Sequence, residues 1–196
     1  MMRTATITRK TKETDIALTV NLDGTGRADI KTGVGFFDHM LDALTRFAQL
    51  DLTVRCAGDL YVDEHHTIED VGICLGKAIR EALGDRAGIR RVGSAFLPMD
   101  EALAFAAIDV SGRPYLAFTA DFATLRCGDM GTQMAEEFFR ALTFNAGLTV
   151  HLKVIDGRND HHKLEALFKA FGLALRDAAR VDGNIEGVLS TKGSLD

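Results

Sequence analysis

Two short stretches of this chain carry the residue types and spacing of a metal centre: His65-His66-Thr67-Ile68-Glu69 and His161-His162-Lys163-Leu164-Glu165. Imidazole and carboxylate donors without thiolate suit a mid-row divalent ion. A helix turns about 100° per residue, so positions i and i+4 share a face while neighbours diverge. His65 and Glu69 are placed to chelate one ion, and His161 and Glu165 another. His66 and His162 point away from their own helix's ion. If the chain is internally duplicated, each of these displaced histidines can serve the ion chelated by the other helix, and two metals follow.

That count leaves each ion short of one ligand. His39 is a donor on an earlier helical stretch, and aligning Leu52-Thr53-Val54 with Leu148-Thr149-Val150 puts its counterpart near Glu137. The expected sets are His39, His66, His161 and Glu165 for one metal, and His65, Glu69, Glu137 and His162 for the other. His151 aligns with Arg55 on a strand and is a weaker candidate. Mn²⁺ heads the expected cofactors, with Fe²⁺, Co²⁺ and Zn²⁺ as alternatives. Four protein ligands leave coordination positions open for substrate or water.

The elements that must position these residues repeat. Residues 16–22 and 27–32 read as strands joined by Asp23-Gly24-Thr25-Gly26, a hairpin signal. Residues 104–110 and 115–120 repeat the form around Ser111-Gly112-Arg113-Pro114. Helical periodicity over 37–47 and 134–144 comes next, then strands over 52–55 and 148–153. Each half ends in a motif helix, 65–83 and 161–179. The order implies an α+β fold of two similar halves, an internal duplication in which each β-sheet packs helices on one face. The expected organisation is one compact domain over 1–196, with pseudo-repeats of about 1–92 and 93–182. A polar, Gly-rich tail over 183–196 is flexible by composition.

The chain has 196 residues, 46% of them hydrophobic and 26% charged, which is enough for a sizeable core. A net charge of -5 gives no electrostatic ground for nucleic acid or an anionic membrane as partner. Cys56, Cys74 and Cys127 are odd in number and form no CxxC pair, so they read as free or buried thiols of a reducing compartment. No stretch is long and apolar enough to span a bilayer. The expected location is the cytoplasm.

Beyond the doublets, the chain resembles the imidazoleglycerol-phosphate dehydratase family of histidine biosynthesis. The matching segments are Lys12-Glu13-Thr14, Gly35-Phe36-Phe37-Asp38-His39-Met40-Leu41-Asp42, Asp63-Glu64-His65-His66-Thr67-Ile68-Glu69-Asp70, Ser111-Gly112-Arg113-Pro114, Asn159-Asp160-His161-His162 and Ser190-Thr191-Lys192-Gly193. The resemblance implies conversion of imidazole glycerol phosphate to imidazole acetol phosphate. It further implies two Mn²⁺ ions that bind the substrate ring as imidazolate, shared between subunits of a homo-oligomer of about 24 chains. Glu13 matches the family's acid/base carboxylate. Arg91, Arg113, Ser190 and Lys192 match its phosphate-binding positions, and residues 190–193 would close over the phosphate. Independently of the resemblance, Lys169 lies i+4 from Glu165 and i+8 from His161 on the metal face, where the first motif helix has Ile73, and is expected as a further substrate contact. Phe47 and Glu137 stand where many members carry histidine, and Leu189 replaces a usual proline. The rival functions are a dinuclear metallohydrolase acting on a phosphate ester and a structural metal-holding assembly.

Overall fold

A computed structural model describes residues 3 to 195. The chain runs β1 (Thr4–Lys10), β2 (Thr14–Asn21), β3 (Ala28–Lys31), α1 (Gly35–Ala48), β4 (Asp51–Gly58) and α2 (His65–Leu83). The second half follows as β5 (Val92–Met99), β6 (Ala102–Asp109), β7 (Tyr115–Thr119), β8 (Arg126–Cys127), β9 (Met130–Gly131), α3 (Met134–Ala146), β10 (Thr149–Asp156) and α4 (Asp160–Ala179). Removing the small β8–β9 ribbon leaves the same six elements in the same order twice. The sheets repeat too, β1-β2-β4-β3 and β5-β6-β10-β7. The duplicated α+β fold read from the sequence is the observed one.

One detail of that reading is corrected. The segment around Asp23–Gly26 was expected to close a hairpin, yet β2 and β3 do not pair with each other. Both pair with β4, β2 antiparallel and β3 parallel, so β4 lies between them. The second half repeats this, with β10 between β6 and β7. The physical reason lies in the connection: Asp51 at the start of β4 accepts the amides of Thr25 (2.8 Å) and Arg27 (3.0 Å), folding the loop around the incoming strand. Gly24 permits this, because a Cβ there would sit 2.2 Å from the Asp51 nitrogen. The true hairpins are β1–β2 and β5–β6. Their outer strands are edges, one Thr-rich and charged, the other holding Pro98, and such edges lack the apolar run that marks a strand.

Each sheet turns one face to helices. Ile16, Leu18, Val20, Leu52 and Val54 are buried on one side, and Ala104, Ala106, Ile108, Val150 and Leu152 on the other, with the alternation of half-buried strands. The helices pack across the halves: α1 lies on α4, and α2 on α3. Phe37 of α1 meets Phe138 of α3 at 5.2 Å, and Phe168 stacks on Phe138 at 5.3 Å, so a single core runs through both repeats. Among the described residues, no helix is long and apolar enough to cross a membrane.

Gly76 and Gly172 occupy equivalent places in α2 and α4 and set how closely these crossings approach. A Cβ on Gly172 would lie 2.6 Å from the Leu44 carbonyl oxygen of α1, and one on Gly76 would lie 2.4 Å from that of Leu142 in α3. In an isolated helix Gly→Ala gains about 1 kcal/mol. Here the clash is with backbone, and overpacking costs about 1–3 kcal/mol. Gly172→Ala should therefore lower the unfolding free energy in urea, and a variant as stable as the parent would contradict the close α1–α4 contact.

Candidate active site

The α1–α4 crossing carries His39 to the start of α4. His39 Nε2 lies 3.3 Å and His161 Nε2 3.1 Å from the same oxygen, Oε2 of Glu165. Candidate donor atoms of these three residues all fall within 4.8 Å of one another, and no other such trio occurs among the described residues. Glu165 is buried, while Lys169 holds its other oxygen at 2.6 Å. Burial, the largest single influence, would raise the Glu165 pKa, but the hydrogen bond and charge of Lys169, with His39 and His161, together hold the carboxyl below its ordinary value. The carboxyl is thus kept as carboxylate, the form that ligates a cation. Lys169 also sits 5.1 Å above the Phe47 ring, so this aromatic packs against the ammonium.

Local structure fixes both helix starts. The Asn159 side chain accepts the amides of His161 (2.9 Å) and His162 (3.4 Å), capping α4. Asp160 is buried with Lys163 at 2.9 Å and accepts the Thr124 amide and hydroxyl, which pins the β7–β8 connection beneath the motif. The α1 start is capped from the other half: Asp129, in the turn of the β8–β9 ribbon, accepts the amides of Gly35 (2.6 Å) and Phe36 (2.8 Å).

The first doublet opens α2. His65 Nε2 is 3.8 Å from Glu69 Oε2, and the His65 amide donates to Asp63 at 2.8 Å. His66 sits between Asp59, 3.0 Å from its Nδ1, and Glu13, 3.9 Å from its Nε2. His162 sits likewise between Glu101, 2.8 Å from Nδ1, and Asp100, 3.8 Å from Nε2. Within one chain, then, His66 is not part of the His39–His161–Glu165 trio. Glu137, in the first turn of α3, pairs with Arg140 and forms no such trio with His65, Glu69 or His162. His151 is exposed on β10 between the buried Val150 and Leu152, on the sheet face turned away from the helices.

The anion-binding candidates gather at the other end of the molecule. Arg91, Arg113, Ser190 and Lys192 line one cavity of about 650 Å³, walled by the tail. Arg91 pairs with Asp109 at 2.7 Å and donates to the Leu189 carbonyl at 2.8 Å, while Arg113 and Lys192 form no ion pair among the described residues. Composition suggested a loose tail. The structure instead lays it against the body: Gly88 N donates to Gly187 O at 2.7 Å, and Arg86 donates to the Leu195 carbonyl. Gly112 makes room for it, having a positive φ of 83° and only 2.4 Å between a built Cβ and the Leu195 oxygen. The Arg91 amide bonds the Ala178 carbonyl, near the end of α4. At about 1.5 Å per residue, that contact is roughly 25 Å from His161 along the helix.

Sequence reasoning missed Asp59, Glu101 and Asp129. Glu101 immediately precedes β6 as Glu13 precedes β2, so aligning the hairpins would have found it. Asp59 and Asp129 act through the folded loops and have no local signature.

Two packed α+β repeats, each presenting a histidine doublet and a carboxylate at a helix start, define a duplicated protein with paired imidazole–carboxylate sites. Residues 32–175 match the family model for imidazoleglycerol-phosphate dehydratase. The chain is 61% identical to the imidazoleglycerol-phosphate dehydratase of Symbiobacterium thermophilum, covering 98% of this chain and 93% of that one. It is 57% identical to that of Acetivibrio thermocellus over 100% of both. The Staphylococcus aureus crystal structure superposes with a TM-score of 0.83 at 38% identity, over 91% of this chain and 99% of that one. The Pyrococcus furiosus structure gives 0.82 at 35%, over 96% and 100%. The chain belongs to the imidazoleglycerol-phosphate dehydratase family, which makes it a dehydratase of histidine biosynthesis.

Breaking a buried ion pair by removing one partner costs about 3 kcal/mol, because the other charge is stranded. Lys163→Met should be destabilised by about that amount in urea unfolding, and adding Asp160→Asn should recover part of the loss. A double variant weaker than the single would show that Asp160 does not depend on Lys163.

Proposed function

We propose that the enzyme converts imidazole glycerol phosphate to imidazole acetol phosphate, with divalent ions held by the histidine and carboxylate residues, Mn²⁺ foremost. The observation that carries this reading is the trio of His39, His161 and Glu165, whose donor atoms converge within 4.8 Å with no thiolate among them. That donor set fits a mid-row divalent cation. His66, His65, Glu69, Glu137 and His162 complete the ligand sets. Bound ions supply the positive charge that lets the substrate ring carry a negative charge as imidazolate.

The remaining chemistry belongs to the chain. Glu13, exposed and facing His66, takes the proton from the carbon next to the departing hydroxyl. The hydroxyl leaves as water, and the resulting enol takes up a proton at the ring-bearing carbon to give the ketone. Arg91, Arg113, Lys192 and Ser190 hold the phosphate, two guanidinium forks being suited to its oxygens. Lys169 keeps Glu165 ionised and reaches toward the substrate.

The roughly 25 Å from His161 to the Arg91 contact exceeds what a three-carbon phosphate ester on one imidazole can span. A site built on His161 therefore cannot take its phosphate contacts from Arg91 of the same chain, which favours a site shared between copies. This supports a closed homo-oligomer with shared sites, the large assembly of about 24 subunits that the family pattern implies. The enzyme works in the cytoplasm.

Mn²⁺-loaded enzyme should turn imidazole glycerol phosphate into the acetol phosphate with the ester intact. Release of inorganic phosphate would instead favour a metallohydrolase, and metal uptake without turnover a structural assembly. Glu13→Gln should retain Mn²⁺ and lose at least about 100-fold in kcat, the scale of general acid–base catalysis. If sites are shared, co-assembling Glu13→Gln subunits with Arg113→Ala subunits should restore measurable turnover to two inactive proteins. Mixed assemblies as inactive as either parent would exclude sharing between those residues.

A further inference from the structure

His66 and His162 are the second members of their doublets, and each ring is gripped in the same way. On one edge, Nδ1 meets a carboxylate at hydrogen-bonding distance: Asp59 at 3.0 Å for His66 and Glu101 at 2.8 Å for His162. On the opposite edge, Nε2 faces a second carboxylate beyond hydrogen-bonding reach, Glu13 at 3.9 Å and Asp100 at 3.8 Å. The gripping carboxylates come from non-equivalent places. Asp59 follows β4, whereas the residue after β10 is Gly157, which has no side chain to offer. Glu101 precedes β6, whereas its counterpart before β2 is Glu13, which faces Nε2 instead. The two repeats reach one arrangement by different routes, so it does not simply follow from duplication.

Both residues are fixed in place, Glu101 through its carboxylate and Asp59 through its backbone. Glu101 accepts the amides of Asn159 (2.7 Å) and Arg158 (3.1 Å), tying it to the loop that starts α4. The Asp59 amide donates to the Glu13 carbonyl at 3.0 Å, and its side chain is only 11% exposed. A neutral imidazole has two tautomers, and only the unprotonated nitrogen carries the lone pair that binds a cation. A fixed acceptor at one nitrogen selects the proton's position and raises the basicity of the other.

We propose that Asp59 and Glu101 are positioning residues for the metal centres: each accepts the Nδ1–H of its histidine and so presents Nε2 of His66 and of His162 as the ligand atom. The inference rests on the metal-binding reading above and goes further by assigning the ligating nitrogen and the two residues that select it. Glu13 and Asp100 are then left free at the open edge, beside the position a cation on Nε2 would occupy.

The test uses the full-length assembled protein, stripped with chelator, and Mn²⁺ alone as probe. Binding is followed by calorimetry and by the loss of the free-ion signal in electron paramagnetic resonance. Glu101→Ala and Asp59→Ala should each weaken one class of Mn²⁺ site by about 10–100-fold. The metal-free thermal midpoint should stay near the parent's for Asp59→Ala and fall for Glu101→Ala, which also loses two amide contacts that Glu101→Gln can keep. Glu101→Gln and Asp59→Asn keep a carbonyl oxygen facing Nδ1 and should recover most of that affinity. Alanine variants that bind within twofold of the parent would overturn the proposal. So would amide variants as weak as the alanines, since charge alone would then be responsible. A parent that takes up no Mn²⁺ would defeat the metal-binding reading itself. A parent that binds normally, with His162→Ala losing no ion, would defeat only the role given to that ring and its partner.

Discussion

One carboxylate oxygen, Oε2 of Glu165, receives a histidine from each repeat, and the rest of the architecture is arranged so that it can. His161 reaches it along its own helix, but His39 comes from α1, in the other half. That meeting requires α1 and α4 to cross at close range. Gly172 provides the clearance, and the phenylalanines beneath lock the crossing in place. Lys169 offsets part of the cost of burying an ionised carboxylate there. Packing and electrostatics meet at one contact.

Much of this was legible in the linear chain. The motif helices begin at or within a residue of the doublets, because a helix places i and i+4 together and nothing else makes that spacing useful. The repeat was visible because both halves carry the same order of punctuation and periodicity. What escaped was pairing. Turn residues such as Asp23 and Gly24 report that the chain reverses, not which strand enters the gap, and here a strand from beyond the next helix does so. Edge strands β1 and β5 were overlooked since one exposed face and one free side leave little apolar signal.

The site was legible to the same depth. The His161–Glu165 pair was found from spacing, and its convergence with His39 at the start of α4 is a property of one chain. The placement of His66 beside Asp59 instead of beside Glu165 was not, because α2 and α4 each lie against a helix of the opposite repeat and not against each other. The basic cavity was assembled in the sequence only by family pattern. Its walls come from loops and from a tail whose order depends on bonds to Arg86, Gly88 and Arg91, none of which composition reveals.

Among the described residues the β8–β9 ribbon is the element without a twin, and its position has a mechanical meaning. Its turn holds the first amides of α1 through Asp129, and its second strand donates the Gly131 amide to Glu64, the residue just before the first doublet. It also lies against Phe36, whose ring edges onto His161. A few residues thus act as a clasp joining the start of α1 to the residue before α2. Loosening the ribbon would free both helix starts at once.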